Sequence, residues 1–109
     1  MQDIVQEITP EKVHSLKTQN KDCQIIDVRE AQEYEAVRIL GSKLISLSTF
    51  DQNYKQIDET KPAYFLCSVG KRALKAAEYL SSLGYKDLYV IEGGIKAWIE
   101  AGYPVDVHT

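Results

Sequence analysis

Thiol and imidazole groups are scarce in this chain: two cysteines, Cys23 and Cys67, and two histidines, His14 and His108, among 109 residues. No two cysteines stand two apart, so the spacing of a structural zinc site is missing and no metal is expected. No apolar run approaches the roughly 18 residues that a membrane-spanning helix needs. The opening MQDIVQEITPEK lacks the charged-then-apolar pattern of a secretory leader. A basic surplus is absent too. Lys and Arg number 13 against 16 Asp and Glu, for a net charge of −3, which is opposite to the footprint of a general nucleic-acid binder. Repeats, low-complexity tracts and linkers are likewise missing. These absences leave one globular domain, residues 1–109, at 44% hydrophobic and 27% charged. A chain of this length buries about two thirds of its unfolded surface, enough for a core without staples.

The cysteines are not expected to pair. Cys23 precedes the apolar run QIIDV and Cys67 ends the run AYFLC. In parallel strands of one sheet they lie at opposite edges, roughly 13–16 Å apart, and bridged Cα atoms need to lie within about 7 Å. Reduced thiols and a cytoplasmic address follow.

Short apolar runs alternate with amphipathic segments, the pattern of a three-layer α/β fold in which a mainly parallel sheet carries helices on both faces. Five strands are predicted, at residues 4–8, 24–28, 43–47, 63–67 and 88–91. Thr9 and Pro10 mark the first helix as N-cap and first helical position. A short helix is predicted over 30–37, and a loop with one helical turn over 48–57. A well-marked helix after Arg72 places Leu74, Ala77, Leu80 and Leu83 on one face and stops at Gly84. A last helix follows Gly93-Gly94 and carries Ile95, Trp98 and Ile99. Trp98 and the seven tyrosines read as packing groups rather than a stacking surface.

The chemistry concentrates at CSVGKR, residues 67–72. In open α/β sheets ligands bind beyond the carboxyl ends of the strands, where Cys67 falls. The loop after it opens a helix, so its N–H groups, the helix's positive end, Lys71 and Arg72 make an anion site, with Gly70 permitting the tight curvature. Cysteines in such surroundings are more acidic than a free thiol and act as nucleophiles. The plainer reading of any free cysteine is a small buried hydrophobe; it suits Cys23, while the company of Cys67 favours a reactive thiol within reach of solvent. A Walker loop is excluded by Phe65 and Arg72 at the positions that require Gly and Ser or Thr, and Gly93-Gly94 lacks the dinucleotide spacing. His14, on the first helix, and His108, in the tail, read as surface residues, so activation of Cys67 is expected from amides and cations. Asp27 ends a strand on the same sheet edge as Cys67, placed to orient Arg72 or a loop amide. Arg29 is expected to pair with Glu33 or Glu30.

Three blocks in order resemble the single-domain rhodanese family from about Ile8 to Val105. IIDVREAQEYEAVRILGSKLI resembles its Asp-Val-Arg-Glu stretch, Glu-Tyr pair and Gly-His-Ile-Pro-Gly-Ala segment. CSVGKR resembles its active-site loop Cys-x-x-Gly-x-Arg, and VIEGGIKAWIEAGYPV its closing element. The resemblance implies a sulfurtransferase without metal or organic cofactor. Cys67 would take sulfane sulfur from a small anionic donor, thiosulfate or a persulfide, and pass it to cyanide, a thiol or a sulfur-accepting protein. The N–H groups of residues 68–72 would cradle the persulfide, so Ser68, Val69, Gly70, Lys71 and Arg72 form the substrate-binding loop. Arg72, with Lys71, would bind sulfonate oxygens, and Asp27 and Arg29 would support the loop. Val37-Arg38-Ile39-Leu40-Gly41-Ser42 departs from the family's glycine, histidine, proline and alanine, and Ser68 replaces a frequent arginine. Two other functions stay open. One is a phosphatase or arsenate reductase on the related fold, whose loop places five residues between Cys and Arg where this chain has four. The other is a non-catalytic or partner-dependent relay module.

Overall fold

A computed structural model describes residues 5–20 and 23–108 of this protein. Ile4, the expected start of the first strand, lies outside the described residues. Among the described residues seven strands and five α-helices follow in chain order: β1 (Gln6–Ile8), α1 (Pro10–Gln19), β2 (Gln24–Asp27), α2 (Ala31–Ala36), β3 (Val37–Arg38), β4 (Lys43–Leu44), α3 (Phe50–Asn53), β5 (Ala63–Leu66), α4 (Lys71–Ser82), β6 (Leu88–Ile91), α5 (Gly94–Glu100) and β7 (Asp106–Val107). Five strands form one parallel sheet in the order β1-β6-β5-β2-β4. The chain has the α/β fold its alternating pattern indicated.

Side-chain alternation along the strands divides the core into two layers, because successive residues point to opposite faces. Ile26, Phe65 and Val90 join the face packed by Phe50 and by Ala73, Ala76, Ala77 and Leu80 of α4. Ile25, Tyr64, Leu66 and Ile91 join the face packed by Val13 of α1 and by Ile95 and Trp98 of α5. Thr9 caps α1 by accepting the Lys12 N–H at 3.2 Å, with Pro10 at the first position.

Several expectations need correction. Helix α4 buries Ala73, Ala76, Ala77 and Leu80, whereas Leu74 and Leu83 are exposed. A three-residue step falls about 60° short of a full turn, so four residues spaced by three cannot share one face. Spacing of three and four, as in 73, 76, 77 and 80, keeps one stripe inward. Ile99 is exposed as well, one position and about 100° of helix rotation beyond buried Trp98. The third expected strand shrinks to Lys43–Leu44 as β4. Val37 leaves the short helix to begin β3, which pairs antiparallel with β7 in a separate two-stranded ribbon. Arg38 stands in that ribbon, 3.1 Å from Asp106 and over the Tyr34 ring. His14 is half-buried rather than on the open surface: it stacks on Tyr103 at 4.3 Å and meets the edge of Trp98. Among the described residues no helix is long and apolar enough to cross a membrane.

Candidate active site

The paired register of β2 and β5 sets Asp27 beside Leu66. Their last residues therefore end together, and Cys67 leaves the sheet at the carboxyl edge where ligands of such sheets bind. Residues 67–70 then curl back to start the twelve-residue α4. Gly70 makes the curl possible: its φ is +110°, a region that L side chains rarely adopt.

The curl brings the Cys67 sulfur onto the start of α4. Sγ accepts the Gly70 N–H at 3.0 Å and the Ala73 N–H at 3.3 Å. Two main-chain donors and the positive end of a helix stabilise negative charge at that sulfur. Ala73 lies one residue beyond the expected cradle of 68–72, because a helical first turn returns its third N–H toward the loop.

Helix α5 holds the other side of the loop. Its Ile95 N–H donates to the Cys67 carbonyl at 2.8 Å and its Lys96 N–H to the Ser68 carbonyl at 3.3 Å. A trans peptide points its C=O and the following N–H in opposite directions. Carbonyls turned onto α5 therefore leave the Ser68 and Val69 N–H groups facing away from it. This contact requires Gly94, where an added Cβ would overlap both carbonyl oxygens and where φ is +60°. Gly94→Ala is accordingly expected to cost about 2–3 kcal/mol through overpacking and backbone strain. Chemical denaturation would measure that cost, and a stability unchanged by the substitution would show that the loop can yield.

The cations behave differently from expectation. Arg72 is half-buried, and its guanidinium forms a two-bond fork onto Glu33, NH1 to Oε1 at 2.8 Å and NH2 to Oε2 at 3.0 Å. NH2 also donates to Ser68 Oγ at 2.9 Å, and Ser68 Oγ in turn lies 3.3 Å from Glu33 Oε2. Glu33 reaches this position through the first turn of α2, where its Oε1 accepts the Glu30 N–H at 3.0 Å. The Arg72 bonds hold the Glu33 carboxyl down to about 2, against an opposing push from burial. The bonds to Glu33 push Arg72 upward, against burial, which pushes it down. Because Glu33's folded value is depressed, its stabilising contribution is complete above the ordinary carboxylate range and lost as pH falls toward 2. Lys71 and Val69 are exposed.

Asp27 and Arg29 are partners of each other. Asp27 is 0% and Arg29 3% exposed, and the guanidinium meets the carboxylate at 2.8 Å. Asp27 thus orients neither Arg72 nor the Cys67 loop. Arg29 touches Glu33 only at its carbonyl, NH1 to O at 3.4 Å, and its NH2 donates to the Val37 carbonyl at 2.6 Å. The pair ties the end of β2 to α2, and α2 carries Glu33.

Cys67 is 1% exposed, which overturns the expectation of an open thiol: the loop wraps its own sulfur. Cys23 is half-buried, and both thiols are free. Among the described residues no three His, Cys, Asp or Glu side chains cluster as a metal site. Sequence reasoning missed Glu33 as the Arg72 partner and α5 as the loop's support. The Glu30-to-Glu33 spacing of a capping box marks where Glu33 sits in the first turn of α2 but not its partner; Gly-Gly before an amphipathic run was the available signal for the second.

The family described as Rhodanese-like domain matches residues 9–101. A thiosulfate sulfurtransferase GlpE of Pseudomonas paraeruginosa is 30% identical over 109 residues, covering 100% of this chain and 96% of its own. The uncharacterized protein YqhL of Bacillus subtilis is 38% identical over 78 residues, 72% of this chain and 62% of YqhL, so the match spans less than two thirds of that relative. Among solved structures, a rhodanese-related protein of Thermoplasma volcanium superposes with a TM-score of 0.84 at 32% identity, over 94% of this chain and 99% of its own. With its parallel sheet, its cysteine loop and its match over residues 9–101, this chain belongs to the rhodanese-like domain family.

Proposed function

We propose that this chain is a sulfurtransferase in which Cys67 carries sulfane sulfur from an anionic donor, thiosulfate or a persulfide, to cyanide or a thiol. The observation that carries this reading is the Cys67 sulfur lodged between the Gly70 and Ala73 N–H groups at the start of α4. The Cys67 thiolate attacks the outer sulfur of thiosulfate. A new S–S bond forms, the old one breaks, and sulfite leaves with the electron pair. The persulfide so formed extends its terminal sulfur into the amides of Ser68, Val69, Gly70, Lys71 and Arg72. Cyanide then attacks that terminal sulfur, thiocyanate departs, and the thiolate is restored. Loop amides stabilise the anionic sulfur in both states, and no step calls for a metal or organic cofactor. In this reading Asp27 and Arg29 act only by holding α2 in place.

The length of the loop bears on the choice of reaction. A sulfane sulfur is a single atom at the end of its donor, able to thread a narrow ring. A phosphoryl centre carries oxygens on every side, and the four residues between Cys67 and Arg72 make a tighter ring than the five-residue spacing of the phosphatase loop. The name of the Pseudomonas relative supports the same choice.

Intact mass measurement tests the proposal. Mixing with thiosulfate is expected to add one sulfur atom, located on Cys67 by peptide mapping, and cyanide is expected to remove it. An unchanged mass with both thiosulfate and an alkyl persulfide, or sulfur found on Cys23, would overturn it.

A further inference from the structure

We infer that Glu33 is a specificity-determining positioning residue, one that occupies Arg72 and thereby turns the site toward thiol persulfides and away from dianionic donors such as thiosulfate. This rests on the sulfurtransferase reading. A sulfonate bound by Arg72 needs the same forked N–H pair that Glu33 already fills, at 2.8 and 3.0 Å. An Arg–carboxylate fork is matched in geometry as well as charge, so a dianion has to displace a built-in competitor. Displacement also strands a carboxylate beside the incoming negative charge, with Glu30 near by. Ser68, the uncharged polar side chain of the loop, is likewise bonded to Arg72 and Glu33, while Lys71 is exposed.

A thiol persulfide makes no such demand. For RSSH the Cys67 thiolate bonds to the outer sulfur, the S–S bond of the donor breaks, and RS⁻ leaves with the electron pair. The proton stays on the transferred sulfur, and no oxidant or reductant is consumed. The donor brings a carbon body where thiosulfate brings three charged oxygens. Beside the loop a groove of about 280 Å³ offers Val69, Leu74 and Val90 to such a body. Its charged members are Glu7, Glu92 and Lys71, a balance that also disfavours a dianion.

The test is Glu33→Gln in the full chain. Glutamine keeps the side-chain length and can still accept the Glu30 N–H, as capping boxes use either residue. Two measurements are made. Sulfate, an unreactive dianion, is titrated and followed by NMR at the Gly70 and Ala73 amides; the variant is expected to bind it about tenfold more tightly than the native chain, the scale of one charge-assisted contact. Steady-state kinetics with thiosulfate and with an uncharged alkyl persulfide are then compared. The ratio of kcat/KM for thiosulfate to that for persulfide is expected to rise about tenfold, through a lower KM for thiosulfate. Sulfate affinity and donor ratio both unchanged would overturn the inference. Tighter sulfate binding in a chain that neither donor loads would keep the Glu33 gate over Arg72 and sink the sulfurtransferase reading instead. A circular dichroism melt coincident with that of the native chain excludes unfolding as the cause.

Discussion

Cys67→Ser is expected to reduce transfer from thiosulfate to cyanide by roughly 10³-fold or more, the scale of losing a covalent nucleophile. The serine hydroxyl fits the same space and accepts the same two N–H groups from Gly70 and Ala73, so the fold should survive. Its oxygen does not ionise in the working pH range and is a poor nucleophile toward divalent sulfur. Cys23→Ser is expected to leave turnover within about twofold, as surface-side changes away from a site usually do. Cys23 precedes β2 at the opposite edge of the sheet, and burial, opposed by the nearby Lys17 charge, pushes its thiol up. A thiol so held is mostly protonated at neutral pH and a weak attacker. Steady-state kinetics on both variants decide the matter: equal losses would remove Cys67 from the chemistry.

The sequence was most informative where one residue's neighbours settle its fate. The runs QIID, AYFL and LYVI are four-residue strands with apolar side chains on both faces, and they became β2, β5 and β6. The place of Cys67, Gly70 and Arg72 at the seam between β5 and α4 was legible because an apolar run, a glycine and a helix-forming stretch form a local pattern. What escaped was tertiary. The β3–β7 ribbon joins residues 37–38 to residues 106–107, and two-residue strands carry no periodicity. Arg72 finds Glu33 thirty-nine positions away, and nothing near either residue names the other. Leucine content does not mark the inward face of α4, because the helix packs its alanines closely against β5 and β6 and leaves Leu74 and Leu83 outside. Glu33 is the consequential omission, since it converts Arg72 from a free cation into a paired one.

Asp27→Ala is expected to destabilise the fold by about 3–5 kcal/mol, because it strands a guanidinium that is 3% exposed. Asp27 Oδ1 accepts the Arg29 main-chain N–H and Nε, each at 3.0 Å, and Oδ2 accepts NH2 at 2.8 Å. Without the carboxylate, Arg29 keeps only carbonyl partners at Glu33 and Val37. Those carbonyls belong to α2 and to the start of β3, so a guanidinium that leaves for solvent releases the segment carrying Glu33. Loss of stability and loss of the Glu33–Arg72 fork should therefore arrive together. A fall in Tm of at least about 12 °C would register the first, and weaker protection of Arg72 from water exchange, read by NMR, the second. Replacing both residues by apolar ones, Asp27→Leu with Arg29→Met, is expected to cost less than Asp27→Ala alone, since no buried charge is left unpaired. A double variant less stable than the single one would mean that the pair stabilises by attraction rather than by mutual neutralisation. The purpose of burying two charges beside the site would then be strength rather than placement of α2.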